Sequence, residues 1–379
     1  MRTIELALDQ FPTIPNTLLD AGGGVLKSLE VPLMDLFRHY WAAKYGDDLP
    51  KSSSFEYLSQ ITSGTDWRTK GRGIGSDTES KRNISNELGK AFARWFMYTH
   101  VGYTYFCPFS DAITRSKDGG PRWSRRTKGD LPDYVCGIDS RRGISLLEAK
   151  GRYSSVTFAT KEFESFREQL GRACLHDANG VELAVKGFIC AARWGTESQP
   201  RVNSKLWVED PWTEGRRTDS YPEEIGVSMV LGHYAAVYQK LQLPVIADSL
   251  RFAFPLRAAA ARQRRGIWRC NAGPLAGREF VGGIIPPTGV IDGRFIIRNY
   301  WDVDPFVLSP PLQFFGIERK RFHIIVRAAA FQGNTVELDL DDIYIPENLG
   351  AISLLRDGTV LAPADYFDRT GIVDVDELI

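Results

Sequence analysis

The sequence predicts an α/β fold on three observations: a helix with an apolar stripe beginning near Ser85, three short apolar runs behind it, and a second amphipathic helix followed by one more apolar run. In the first helix Leu88, Ala91, Phe92, Trp95 and Phe96 recur at helical steps, and Asn83 or Ser85 is available to cap its start. GYTYFCPF, LPDYVCGID and GISLLEAKG read as strands, the last two separated by a turn-prone Ser-Arg-Arg. A helix from Thr160 to His176 sets Phe163, Phe166, Leu170 and Cys174 on one side, and VKGFICAARW closes the block as a buried strand. Helix, three strands, helix, strand is a compact unit, assigned to residues 81–195.

The flanks are read more coarsely. Residues 1–80 form an N-terminal helical extension and loop, with a helix from Val31 to Tyr45 carrying Leu33, Leu36, Phe37 and Trp41 inward. SGTDWRTKGRGIGSDTESKRN reads as a flexible surface loop, because Gly71, Gly73 and Gly75 lack the full spacing of a phosphate-cradling loop. Residues 196–260 hold a proline- and charge-rich connector and an amphipathic helix from Ile225 to Leu241. Residues 261–379 are expected to be β-rich, with RFHIIVRAAAF and TVELDLDDIYI as β-like runs.

Composition narrows the class. The 379 residues are 43% hydrophobic and 25% charged, the balance of an ordinary globular protein. Lysine plus arginine equals aspartate plus glutamate at 47 each, which argues against non-specific coating of nucleic acid or anionic membrane. MRTIELALDQFPTIP has no basic start before a long apolar core, so no signal peptide is expected, and no apolar run approaches the roughly 18 residues of a spanning helix. Cys107, Cys136, Cys174, Cys190 and Cys270 are odd in number and form no CxxC, which points to buried reduced thiols in a cytoplasmic protein. His39, His100, His176, His233 and His323 are scattered, and no serine or cysteine nucleophile arrangement can be read from spacing.

The chemistry concentrates in Pro132-Asp133 and Glu148-Ala149-Lys150. Glu148 and Lys150 are two residues apart on a strand, so their side chains leave the same face. If LPDYVCGID pairs with GISLLEAKG through an even-length turn, Asp133 falls opposite Glu148 or Lys150 on that face; an odd-length loop without a bulge sends it to the other. Two such carboxylates repel each other, and a divalent cation removes the conflict. Mg²⁺ suits the arrangement, with Mn²⁺ a plausible substitute, and the Ala149 carbonyl can add an oxygen. Lys150 then supplies positive charge where phosphodiester hydrolysis develops negative charge.

LPDYVCGIDSRRGISLLEAKG resembles the signature of the PD-(D/E)XK nuclease superfamily, which includes many restriction and repair endonucleases. The order of elements over residues 83–194 is similar to that superfamily's α-β-β-β-α-β core. The resemblance implies a restriction-endonuclease-like fold with Asp133, Glu148 and the Ala149 carbonyl as metal ligands and Lys150 as catalytic cation. Members often carry an acid in the first core helix that reaches the metal, a position Glu87 matches as auxiliary ligand or water-orienting group. Some place a glutamine and then a tyrosine in the helix after the lysine strand; Gln169 matches the first, while Ala173 stands in place of the second.

Charge distribution points to a polyanionic partner. Arg115, Lys117, Arg122, Arg125, Arg126 and Lys128 precede Asp133 with one acid, Asp118, and Trp123 among them. Arg251, Arg257, Arg262, Arg264, Arg265 and Arg269 form a second cluster beside Trp268, suited to a nucleic-acid backbone or a protein partner. Residues 334–379, with eleven acids and two arginines, would repel DNA; Asp339, Asp341 and Asp342 there read as an exposed strand face. The expectation is a Mg²⁺-dependent DNA endonuclease, resembling restriction or antiviral defence nucleases, with a homodimer or protein partner where both strands are cut. The alternatives are a non-catalytic nucleic-acid-binding or scaffold subunit, and an RNA-directed or guide-dependent nuclease with the same core.

Overall fold

The computed structural model describes residues 1–44, 60–116, 120–213, 215–216, 221–257, 262–285, 289–291, 294–296, 312–331, 338, 340–347 and 349–379. The chain is mixed α/β and its described residues form two compact units, one from residues 1–44 and 60–233 and one from residue 234 onward.

In the first unit the elements run β1 (Arg2–Asp9), β2 (Ser28–Val31), α1 (Leu33–Lys44), β3 (Arg68–Thr69), α2 (Thr78–Phe96), β4 (Tyr105–Pro108), α3 (Phe109–Arg115), β5 (Arg122–Arg125), β6 (Tyr134–Gly137), β7 (Ser145–Arg152), α4 (Lys161–Gly171), β8 (Ala173–His176), β9 (Glu182–Leu183), β10 (Lys186–Arg193), β11 (Gly195–Thr196) and β12 (Lys205–Glu209). Helix α5 (Glu223–Lys240) contributes its residues through His233. Seven strands form one sheet in the order β2-β1-β12-β10-β7-β6-β4. β7 therefore lies inside the sheet, parallel to β10 and antiparallel to β6, which explains why SLLEAKGR is buried along most of its length.

The N-terminal region departs from the helical extension that was expected: Arg2–Asp9 is a strand, parallel to β12 and antiparallel to β2. Its alternating burial is the period-two pattern of an element with one covered face. The polar segment after it is not wholly a surface loop, because Trp67 is buried and the space beside Gly73 is filled by the Tyr153 ring. Helix α2 begins at Thr78 rather than near Ser85. The Asp77 carboxylate accepts from Ser80 N at 2.9 Å and caps it, and the polar first turns preceding the apolar stripe hid that start. The stripe itself is fully covered, Leu88, Ala91, Phe92, Trp95 and Phe96 all being buried.

Helix α4 starts where expected, capped by Thr160, but ends at Gly171 instead of His176. Residues 173–176 are taken by β8, whose backbone pairs with β5. Helix α5 is not the amphipathic helix expected: Ile225, Met229, Val230, Leu231, His233, Tyr234, Ala235 and Tyr238 are buried, so both sides are covered. Close approach at Gly226, where an added Cβ would meet the Ser140 carbonyl, seats its first half within the first unit.

The second unit continues with the rest of α5, then α6 (Pro244–Phe252), β13 (Arg264–Cys270), β14 (Glu279–Ile285), β15 (Gly289–Ile291), β16 (Arg294–Ile296), β17 (Gln313–Glu318), α7 (Arg319–Ala330), β18 (Ser353–Leu354), β19 (Thr359–Pro363) and β20 (Phe367–Asp374). Six strands form an antiparallel sheet in the order β18-β19-β17-β14-β13-β20, around a core that includes Phe280, Phe314 and Phe367. RFHIIVRAAAF belongs to helix α7, not to a strand: Phe322, Ile325, Val326 and Ala329 are spaced for one helical face and buried together. In TVELDLDDIYI residues 338 and 340–345 lie outside any strand, and Asp339 falls outside the described residues. All five cysteines are buried and free of disulfides. Among the described residues no helix is long and apolar enough to cross a membrane.

Candidate active site

The β6–β7 hairpin sets the geometry. Tyr134 pairs with Leu147, Val135 with Leu146 and Cys136 with Ser145, so continuing the register one residue puts Asp133 opposite Glu148. This is the even-length turn of the two possibilities. It is tied by the Asp139 carboxylate, which accepts from Arg141 N at 2.7 Å and Arg142 N at 2.8 Å. Asp133 lies just before the start of β6, and its Oδ2 accepts from Ala149 N at 3.0 Å in place of a ladder partner. A strand residue points its N–H and C=O to the same side, so the Ala149 carbonyl also faces the gap beside Asp133.

Glu148 is fully buried, and Lys150 reaches it with Nζ 2.6 Å from Oε1. Helix α4 closes the other side. With its amide oriented to donate, Gln169 gives hydrogen bonds to Glu148 Oε1 at 2.6 Å and Oε2 at 3.3 Å. Phe166, one turn earlier on α4, lies 5.9 Å from Lys150 Nζ and lines the lysine stem. The structure therefore brings Asp133, Glu148, Ala149, Lys150 and Gln169 together. The tyrosine position held by Ala173 is the first residue of β8, beyond the helix.

Glu87 is placed differently. It stands half-buried one turn before Lys90 on α2. It does not join Asp133 and Glu148 in a three-acid cluster, since among the described residues no three acidic, histidine or cysteine side chains gather in a way that could hold a metal ion. The α2 side chain that reaches the acids is Lys90, a residue the sequence reading passed over, with Nζ 2.8 Å from Asp133 Oδ1. Its position follows from a close helix–strand contact: a Cβ on Gly89 would lie 2.5 Å from Gly151 N and Lys150 C, and one on Gly151 would lie 1.9 Å from Ser85 O. Only two facing glycines let the backbones approach so near. A glycine inside an otherwise apolar-striped helix, followed directly by lysine, was the available signal.

The electrostatics of the site are dominated by burial. Burial, reinforced by the neighbouring Asp133, pushes the Glu148 carboxyl up to about 8, although Lys150 and Lys90 pull the other way. For Lys90 burial works against the charged form, but Asp133, Tyr134 and Glu148 outweigh it and raise the ammonium above its usual range. A buried carboxyl that two lysines do not hold fully ionised, beside a second carboxylate and a strand carbonyl, is a donor set that fits a hard divalent cation. Two side chains and a carbonyl suffice for Mg²⁺, which keeps several of its waters.

The basic residues divide into exposed and structural. Arg122, Arg125 and Lys128 are exposed around β5, whereas Arg126 pairs with Glu182. Arg115 is no phosphate grip: it is buried, its Nε donates to Ser228 Oγ at 3.2 Å, and burial depresses its guanidinium to about 10. Trp123 is likewise core, edge-on to Phe109 with centroids 5.6 Å apart. Lys117 and Asp118 lie outside the described residues. In the second unit Arg264 pairs with Asp374, Arg269 with Glu279, and Arg265 Nε donates to Leu241 O at 2.5 Å just past the end of α5. Of Arg262, Arg264 and Arg265, Arg262 is exposed on the strand approach and the others are engaged within the fold. No family model, curated protein or solved structure matches the chain.

Proposed function

We propose that this chain is a Mg²⁺-dependent endonuclease acting on DNA, with a restriction-endonuclease-like core of α2, β4, β6, β7, α4 and β10. The observation that carries the reading is the convergence of Asp133, Glu148 and Lys150 on one face beside the Ala149 carbonyl. Asp133, Glu148 and the Ala149 carbonyl would hold Mg²⁺, which supplies a bound water of lowered pKa and neutralises the phosphodiester. Lys150 keeps an ammonium on the acids' own face, where it stabilises charge growing on the scissile phosphate. Gln169 fixes the Glu148 carboxylate so that its oxygens are aimed rather than free to rotate. Arg122, Arg125 and Lys128 offer exposed cations to the phosphate backbone. Restriction or antiviral defence is the setting in which such chemistry would serve, in a homodimer or with a protein partner where both strands are cut.

Cleavage assays on plasmid, single-stranded DNA and RNA, with Mg²⁺ and with EDTA, test the reading. Plasmid cleavage that Mg²⁺ supports and EDTA stops is expected. Asp133→Ala and Lys150→Ala should each lower the rate by about 100-fold or more. Variants that cut as well as the parent remove the site assignment. Binding of DNA with no cleavage under any condition favours the non-catalytic reading, and RNA cleavage favours the RNA-directed one.

A further inference from the structure

We infer that Lys90 is a resident counter-cation that occupies the place of the divalent ion at Asp133 and must be expelled for that ion to bind. The inference rests on the proposed metal-dependent reading and adds to it a gate on metal loading.

The geometry is specific. Asp133 spends one oxygen on Ala149 N and the other on the Lys90 ammonium, and Glu148 spends Oε1 on Lys150 and Gln169. Both carboxylates thus already have a cation within contact distance, two ammoniums against two acids. A divalent ion entering this set finds its Asp133 oxygen covered by Lys90. The two lysines are not equivalent. Lys150 rises from the same strand as Glu148, whereas Lys90 comes from α2 and its side chain is 39% exposed, against 26% for Lys150. Lys90 therefore has solvent to move into. Its starting point is nevertheless fixed, because Gly89 sits against the Lys150–Gly151 peptide. The same helix contact that assembles the site delivers the competing charge.

The chemistry predicts competition rather than assistance. A divalent cation entering at Asp133 Oδ1 meets the Lys90 ammonium 2.8 Å from that oxygen, and like charges at such a separation repel even where water screens them. Removing the ammonium while keeping the stem should strengthen metal binding; keeping a cation in the same place should not.

Isothermal titration of the full chain with Mg²⁺ alone, and with Mn²⁺ alone, reads this without catalysis. Lys90→Met is expected to bind either ion about tenfold or more tightly than the parent, and Lys90→Arg to stay close to the parent. Lys90→Met binding no tighter than the parent overturns the inference and leaves the metal site standing. Absence of metal binding in parent and Lys90→Met alike, or binding undiminished in Asp133→Asn, overturns the metal-dependent reading itself. A measurement on the unaltered chain covers a variant that fails to fold: acylation of Lys90, followed by mass spectrometry, should accelerate severalfold when Mg²⁺ is added, and an unchanged rate overturns the inference.

Discussion

Gly151→Ala tests whether the helix–strand contact holds the site together. A Cβ at this position would lie 1.9 Å from the Ser85 carbonyl oxygen and 2.8 Å from its carbon, with Gly89 Cα at 3.1 Å. Because these are backbone atoms, no side chain can rotate away, and α2 must withdraw from β7 by about 1 Å, a shift of the kind that costs roughly 1–3 kcal/mol in an overpacked core. In a unit of this size that is a melting temperature lower by about 2–12 °C. The same withdrawal carries Lys90 away from its 2.8 Å contact with Asp133 and loosens the backbone beneath Lys150. A misplacement of about 1 Å in catalytic groups costs on the order of 100-fold in rate. Thermal melts and Mg²⁺-dependent plasmid cleavage read the two consequences separately. Gly171→Ala is the control, since a Cβ there meets nothing within 4 Å. Equal melting of the two variants would refute the packing argument, and equal cleavage by a destabilised Gly151→Ala would refute the claim that this contact positions the catalytic groups.

Three further outcomes are expected. Arg167→Ala strips the fully buried Glu209 of a bidentate partner at 2.5 and 2.9 Å and should cost about 3–5 kcal/mol in chemical denaturation, with Arg167→Leu/Glu209→Leu costing less because no charge is left stranded. Burial holds the His100 imidazole down at about 4, so between pH 6.5 and 4 the unfolded chain takes up a proton that the folded chain does not; stability should fall as pH drops through that window, by at most about 3 kcal/mol given the ring's partial exposure, and His100→Gln should flatten the fall. Arg122→Ala/Arg125→Ala/Lys128→Ala should weaken DNA binding across sequences and reduce the salt slope of log K by about 0.9 for each lost phosphate contact, whereas an unchanged slope removes this surface from the interface.

What was legible in the sequence was whatever one element decides by itself. Apolar runs and the Ser-Arg-Arg break located β6 and β7 to within three residues at each end, and the two-residue step from Glu148 to Lys150 fixed their common face. The turn parity was open, because Asp139 ties its turn through backbone groups that no pattern of residue types records. Elements whose fate is decided by a distant partner were misread. Residues 173–176 continue the apolar stripe of α4 yet pair with β5, and the branched run at Ile324, Ile325 and Val326 forms a helix because its buried side is spaced for one. The basic stretch shows the same limit: Arg115 looks like a phosphate contact until the fold buries it together with Trp123, while Arg122 and Arg125, at the two ends of β5, stay exposed. Lys90 was least visible of all, because apart from the glycine before it nothing on the helix marks which charged residue faces the sheet. That choice is made by Gly89, whose missing side chain lets α2 settle onto Gly151 and turns Lys90 toward Asp133. Since the same glycine pair sets the spacing of both lysines about the two acids, altering the contact should change metal affinity and catalytic geometry at once, whereas removing only the Lys90 ammonium should change the affinity alone.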